Sequence, residues 1–148
     1  MSEIVGDPHR LYKLAGVHPQ LKHIVTRICA AMDALGFYLI VTDGVRTVAE
    51  QQALYAKGRT ALGTIVTHLD GLLKRSNHQL HPDGCGHAVD MCFLVNGKPS
   101  WAETNPWTCY GAMAKALGCV WGGDWKKFRD RPHIEWTSSR GVTLPEDV

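Results

Sequence analysis

Apolar residues recur at helical spacing through residues 19–35, at positions three or four apart. The residues on this stripe are Leu21, Ile24, Val25, Ile28, Met32 and Leu35. This period predicts an amphipathic helix that begins at Pro19 and ends before Gly36, because glycine readily takes the left-handed conformation that closes a helix. Residues 37–42 are apolar and β-branched, so they predict a buried strand.

A second helix is predicted from Thr47 to Lys57. Thr47 and Glu50 have the spacing of a capping box, in which each side chain accepts a hydrogen bond from the backbone of the other. Gly58 follows as a left-handed cap. Residues 59–77 mix polar and apolar positions with several glycines, and we expect them to form mostly loop.

Two more strands are predicted in the second half of the chain. Residues 88–95 form a mainly apolar run, and residues 96–97 (Asn-Gly) are typical of a tight turn that leads into a partner strand or a loop. Residues 132–136 predict a short terminal strand.

A third long helix is predicted over residues 106–117, with Asn105 as its cap, Pro106 in its first turn and Gly118 after its end. Helices and strands therefore alternate along the chain. This order, with its hairpin signals, favours an α+β fold in which helices pack on a small, largely antiparallel sheet. The chain has 148 residues without a repeat or long linker, so we expect residues 1–148 to form a single domain.

Composition excludes several classes of protein. Apolar residues make up 45% of the chain and charged residues 20%, as in globular proteins. No apolar run approaches the roughly 20 residues of a membrane helix, so no membrane span is expected. A net charge of +2 does not favour nucleic acid as a partner. The five cysteines are irregularly spaced, which argues against a disulfide framework. Residues 1–10 lack the features of a secretory signal peptide, so we expect accumulation in a cytoplasm.

Histidines and carboxylates cluster in three segments, namely residues 76–78, 86–90 and 130–133. A catalytic zinc takes three protein ligands from such residues and leaves a fourth position for water. The metal lowers the pKa of that water towards about 7, and a nearby carboxylate can take its proton during amide hydrolysis. Asp130, three residues before His133, is suited to that role. Any one of these residues alone is better explained as a surface group, and only the cluster indicates a site.

Strand alternation sorts the candidates around Asp90. If Asp90 faces a cleft, small neighbours share its face, while larger apolar residues face the core. The cleft face would hold Ala88 and Cys92, and the core face Val89, Met91 and Phe93. His87 falls on the core side, so we do not expect it to bind a metal.

The last strand predicts a similar alternation. His133 and Glu135 share one face, and Ile134 and Trp136 take the other, as in a half-buried strand that carries a ligand outward. Glu135 either orients a ligating imidazole or is solvated.

Several longer motifs carry a resemblance to a known family. They are Asp-Gly-Val-Arg-Thr at 43–47 with Glu50-Gln51, the segments 54–60 and 63–67, Ser-x-His at 76–78, Gly-x-Ala-x-Asp at 86–90 and Asp-x-x-His at 130–133. Together they resemble the zinc L-alanyl-D-glutamate peptidases, which include phage endolysins and are related to D-alanyl-D-alanine carboxypeptidases and vancomycin-resistance dipeptidases. The similarity covers most of residues 9–137, and residues 121–125 resemble the endolysin branch.

The resemblance implies a fold like that of Hedgehog and the D,D-peptidases, with zinc as cofactor. The ligands it implies are His78, Asp90 and His133, and it makes Asp130 the catalytic base. Many relatives of the carboxypeptidase branch have glutamate at the position of Asp130, whereas the endolysin branch accepts aspartate.

Arg46 is implied to contact the substrate, by stabilising the oxyanion or by binding a carboxylate. In wall peptides D-glutamate continues through its side-chain carboxyl, so its α-carboxylate stays free, and a guanidinium offers it a bidentate fork. The alternative for Arg46 is a structural ion pair at a helix start. Ser76 is expected to hydrogen-bond to a ligand or to the substrate.

One spacing departs from the family pattern. The first histidine and the aspartate are usually seven residues apart, but His78 and Asp90 are twelve apart, so residues 79–84 contain an insertion. His81, and less so Asp83, are therefore alternatives to His78. We prefer His78 because it keeps the Ser-x-His context.

We therefore expect a monomeric zinc metallopeptidase that cleaves the L-alanyl–D-glutamate bond of peptidoglycan stem peptides. As a phage endolysin it would accumulate in the cytoplasm of a bacterial host and act on the wall after release. The sequence leaves two alternatives open, a D-alanyl-D-alanine carboxypeptidase and a catalytically silent wall-binding module. Asp130 and Arg46 favour an enzyme, because a mere binder need not retain both.

Overall fold

The computed structural model of the protein describes residues 8–136. The helices are α1 (Pro8–Leu11), α2 (Pro19–Ala34), α3 (Val48–Ala56) and α4 (Trp107–Ala116), and the strands are β1 (Tyr38–Asp43), β2 (Ala88–Val95), β3 (Lys98–Ser100), β4 (Val120–Trp121) and β5 (His133–Glu135). Short 3-10 turns cover Tyr12–Leu14 and Gly122–Asp124. The predicted single domain of residues 1–148 extends past the described residues at both ends.

One five-stranded antiparallel sheet organises the fold. Its order is β1-β2-β5-β4, and β3 also pairs with β2. Helices α1 and α2 pack against β1, and α4 packs against β4, so the predicted α+β class with a small antiparallel sheet is confirmed. Within the described range, no helix is both long and apolar enough to cross a bilayer.

The core forms where α2 and α4 meet the sheet. The predicted stripe of α2 is buried from Leu21 to Met32 and contacts the apolar side chains of β1 and β2. Leu35 is the exception, because α2 ends at Ala34 and the chain turns away, which leaves Leu35 more than half exposed.

The capping signals were mostly right. Thr47 and Glu50 form the predicted capping box at the start of α3, and Gly58 follows its end with a φ of +78°. The cap predicted for α4 was wrong. Pro106 occupies the cap position, and the Asn105 amide instead donates to the carbonyl and hydroxyl oxygens of Ser100, which ties α4 to the end of β3.

The predicted division of the last two strands into a cleft face and a core face was too simple. On β2, Ala88 and Cys92 are as fully buried as the residues on the other face. The last strand is not half-buried, since His133, Ile134 and Glu135 are all buried. The reason is that both faces of β5 are covered, since Ile134 joins the core and the His133 ring contacts the rings of His78 and Trp125. The sequence prediction also missed β4, which pairs with β5 on the side away from β2.

The segment before β5 is fixed at several points. The Tyr110 hydroxyl of α4 donates to the carbonyl of Pro132 at 2.7 Å, and the indole N–H of Trp121 donates to the carbonyl of Arg131 at 2.8 Å. A Cβ at Gly122 would overlap the carbonyl oxygen of Asp130, so only glycine fits there. These contacts fix the backbone of residues 130–132 next to β2.

Candidate active site

The sheet register brings two of the predicted ligands together. Asp90 of β2 lies directly opposite His133 of β5, and on its other side opposite Asp43 of β1. His78 comes from the long loop before β2. Its Nδ1 lies 2.8 Å from the carbonyl oxygen of Gly44, just after β1, and this contact holds the ring beside Asp90.

Three side chains thus form a group that could hold a metal ion. His78, Asp90 and His133 each offer one ligand atom, and these atoms lie within 4.8 Å of one another. Both histidines are buried, and Asp90 is partly exposed. Within the described residues, no other group of three such side chains has this arrangement.

The hydrogen bonds fix which imidazole nitrogen faces the centre of the group. The Nδ1 of His78 donates to a carbonyl, so its lone pair is on Nε2, a buried nitrogen that lacks a hydrogen-bond partner and lies 3.4 Å from Asp90 Oδ1. The Nε2 of His133 lies 2.6 Å from Glu135 Oε1 and donates to it, which leaves Nδ1 facing Asp90 Oδ1 at 3.2 Å. Two lone pairs that point at one carboxylate oxygen require a proton or a cation between them.

The charges around Asp90 support this arrangement. Burial alone raises the pKa of its carboxyl group, but positive charge and hydrogen-bond donation from the His78 and His133 imidazoles, when they carry the extra proton, outweigh burial and lower that pKa well below its usual range, as a cation in the same place would. Glu135 is fully buried, and its second oxygen accepts a hydrogen bond from the Asn77 amide at 2.8 Å. Glu135 therefore orients His133, which was one of the two alternatives in the sequence.

A cavity of about 340 Å³ opens beside this group. Its lining includes His78, Arg46 and Asp130, so the predicted catalytic residues face the same space. A second depression of about 310 Å³ continues past Arg46 and shares it with the first. Together they form a cleft that can accept an extended peptide.

Arg46 forms the structural ion pair that was one of its two predicted roles, while its contact with the substrate stays a prediction. Its Nε and one terminal nitrogen donate to the Asp43 carboxylate, and the other terminal nitrogen donates to Gln51 Oε1 at 2.7 Å. The structural ion pair therefore exists. The same guanidinium lines the cavity and lies 3.7 Å from the Asp90 carboxylate, so it is also placed beside the candidate metal group.

Ser76 lies next to the backbone of His78 and does not line the cavity. It is buried, and its hydroxyl oxygen accepts a hydrogen bond from the backbone N–H of His78 at 3.1 Å. This contact fixes the segment that carries the imidazole. Binding of substrate by Ser76 stays a prediction.

The insertion in residues 79–84 explains the unusual spacing without changing the histidine. His81 turns away from Asp90 and stacks on His87, with 3.8 Å between ring centroids. Asp83 pairs with the same His87 at 2.7 Å. The two alternatives to His78 therefore form a separate cluster, and His87 lies outside the metal group, as its strand position predicted.

The cavity is also lined by three residues outside the predicted set of site residues, namely His68, Trp125 and Phe128. Phe128 and His68 come from loops 60 positions apart and meet edge to face at 4.3 Å between ring centroids. Loop residues carry no periodic signal, so no pattern in the chain could have joined them.

An α+β fold with a His-Asp-His group that could hold a metal ion, at the side of an open cavity, is the arrangement expected of a metal-dependent peptidase. A sequence model described as D-alanyl-D-alanine carboxypeptidase matches residues 72–136. The chain is also 35% identical over 127 residues to the peptidoglycan L-alanyl-D-glutamate endopeptidase CwlK of Bacillus subtilis, covering 80% of this chain and 72% of that protein. The chain therefore belongs to the family of peptidoglycan peptidases that includes CwlK.

Solved structures of peptidoglycan peptidases are similar to this chain in fold. The L-Ala D-Glu endopeptidase ChiX of Serratia marcescens matches with a TM-score of 0.59 and 27% identity, over 87% of this chain and 86% of that one. A vancomycin-resistance D,D-pentapeptidase, VanY, was solved in complex with Zn(II) and matches with a TM-score of 0.55. Its identity is 19%, over 81% of this chain and 72% of that one, so this likeness concerns the fold alone.

Proposed function

We propose that the protein is a zinc endopeptidase that hydrolyses the L-alanyl–D-glutamate bond of peptidoglycan stem peptides. The observation that carries the proposal is the convergence of His78 Nε2 and His133 Nδ1 on one oxygen of Asp90, at the side of a cleft that Arg46 and Asp130 also line. The similarity to CwlK and ChiX supports the choice of bond.

The donor set fits zinc. Zinc binds imidazole nitrogen and carboxylate oxygen at about 2.0–2.2 Å in a tetrahedron, so neighbouring ligand atoms should lie about 3.3–3.5 Å apart. The distances from Asp90 Oδ1 to the two imidazole nitrogens are 3.4 and 3.2 Å. Three protein ligands leave one position open, as in catalytic rather than structural zinc sites.

In the proposed reaction, zinc supplies Lewis acidity and lowers the pKa of water at the scissile amide. Asp130 takes the proton from the attacking water and returns it to the leaving amine. Arg46 donates hydrogen bonds to the carbonyl oxygen as that oxygen gains negative charge. Asp43 and Gln51 hold the guanidinium in place, and Glu135 holds the His133 ring.

Digestion of purified peptidoglycan tests this function. We expect the zinc-loaded protein to release stem peptides that have lost their N-terminal L-alanine, identified by mass spectrometry. A chelator should abolish the release, and added zinc should restore it. The family description also names D-alanyl-D-alanine carboxypeptidase. Release of free D-alanine with an intact L-alanyl–D-glutamate bond would support that activity and refute the one proposed.

We further propose a lytic role. The protein would act as a monomeric phage endolysin that accumulates in the cytoplasm of its bacterial host and reaches the wall after release. The resemblance of residues 121–125 to the endolysin branch supports this. The test is expression in a bacterium with and without a membrane-permeabilising protein, where lysis should require both. Lysis by the enzyme alone would contradict the proposed dependence on release.

A further inference from the structure

Two arginines line the cavity, and within residues 8–136 only Arg46 is neutralised by neighbouring side chains. Its donors serve Asp43 and Gln51, and the Asp90 carboxylate lies 3.7 Å away. Arg129 lines the same cavity and is exposed. Among residues 8–136, no hydrogen bond or salt bridge engages its guanidinium. Arg129 is therefore the cation with charge available for a bound anion.

His68 adds a second donor to this part of the cavity. Its Nδ1 lies 3.3 Å from a terminal nitrogen of Arg59. Arginine can only donate, so Nδ1 accepts and the proton of the neutral ring lies on Nε2. The His68 ring contacts Phe128, which directly precedes Arg129, so the imidazole lies beside the segment that carries the arginine.

The backbone of that segment is held in an unusual conformation. Phe128 has a φ of +51°, a left-handed value that bulky residues rarely adopt. The contact with His68 holds the ring of Phe128. Two residues after Phe128, the backbone N–H of Asp130 donates a hydrogen bond to the carbonyl of Gly122. Arg129 thus lies between two fixed points and next to the proposed base.

We propose that Arg129, assisted by the Nε2–H of His68, binds the free α-carboxylate of D-glutamate and selects stem peptides that carry it. This inference rests on the proposed function. In some stem peptides this carboxylate is replaced by an amide, which has no charge and presents an N–H₂ donor to a guanidinium that can itself only donate. Arg46 then remains available for the scissile carbonyl.

The experiment compares two synthetic stem peptides that differ only in having D-glutamate or D-isoglutamine after L-alanine. The measured quantity is the ratio of their kcat/KM values, which does not depend on the fraction of enzyme that is active. We expect the wild type to favour the carboxylate about 10- to 100-fold, the range of one charged hydrogen-bonded contact. Arg129→Ala should reduce the ratio to about threefold or less, mainly by raising KM for the carboxylate peptide. Arg129→Lys should retain part of the preference.

Lys127→Ala is the matched control, because Lys127 is an exposed cation of the same loop that does not line the cavity. It should keep the wild-type ratio. An unchanged ratio in Arg129→Ala, or an equal loss in Lys127→Ala, would overturn the inference while leaving the proposed function intact. If the wild type cleaves neither peptide after L-alanine, the proposed function fails, and the inference fails with it.

Discussion

Glu135 is the buried carboxylate behind His133, and we predict that Glu135→Gln weakens zinc binding by about 10- to 100-fold, or about 1.4–2.8 kcal/mol. Its Oε1 lies 2.6 Å from His133 Nε2. The amide keeps the shape of the side chain but removes the charge that makes the imidazole a better donor to the metal. The change leaves all three proposed ligands in the chain.

Two estimates bound the magnitude. A hydrogen bond to a charged group contributes about 1.5–3 kcal/mol and a neutral one about 0.5–1.5 kcal/mol, so losing the charge typically costs about 1–1.5 kcal/mol. The carboxylate would also lie roughly 6 Å from a divalent cation across the ring, where the attraction is about 5 kcal/mol at an effective dielectric constant of 20. That larger figure is an upper bound, because the buried carboxylate is costly to keep ionised without the metal.

Competition with a chromophoric chelator measures the zinc dissociation constant directly. Asp83→Asn is the matched control, since Asp83 forms a similar pair with His87 at 2.7 Å outside the metal group. We expect this control to bind zinc within about twofold of the wild type. Wild-type affinity in Glu135→Gln, or an equal loss in both variants, would refute the reasoning.

Three further predictions follow from particular contacts. Asp130→Asn should lower kcat by about 100- to 10,000-fold with zinc affinity within about threefold, because Asp130 acts on the reacting water; loss of zinc together with activity would contradict this. Burial and the neighbouring His87 lower the pKa of His81 below 6.5, so the folded protein favours the neutral ring. The stability gained from this neutral ring is therefore complete above about pH 6.5, and it is lost as the pH falls from 6.5 through the lower pKa of His81 in the folded state. The urea midpoint of His81→Asn should therefore vary less between pH 7 and 5 than that of the wild type, and parallel curves would contradict this. Gly111→Ala would push a Cβ into the Trp121 indole and should lower the free energy of unfolding by about 1–3 kcal/mol, whereas an unchanged midpoint would rule out that clash.

Local signals in the chain predicted most of the elements. The period of α2, the capping box of α3 and the Asn-Gly turn after β2 are each complete within a few residues, and all three form as expected. The errors came from pairing between distant segments. The two-residue strand β4 has too short a pattern to detect, and the alternation in β5 predicted one solvated face where the structure buries both.

The candidate site, like the fold, was predicted only in part from the sequence. The Ser-x-His motif favoured His78 over His81 as the partner of Asp90 and His133, although the spacing departs from the family pattern, and the structure groups these three side chains. Sequence could not show that Arg46 is neutralised by Asp43 and Gln51, because that depends on side-chain directions at the start of α3. It also could not place Arg129 in the cavity, since a loop arginine beside other basic residues has no distinguishing pattern.

The proposed function requires His78, Asp90 and His133 to bind one zinc ion. Anomalous diffraction at the zinc absorption edge, from crystals of zinc-loaded protein, locates that ion. We expect a single strong peak about 2.0–2.2 Å from His78 Nε2, Asp90 Oδ1 and His133 Nδ1. A peak at the His81 and His87 cluster, with none beside Asp90, would contradict it.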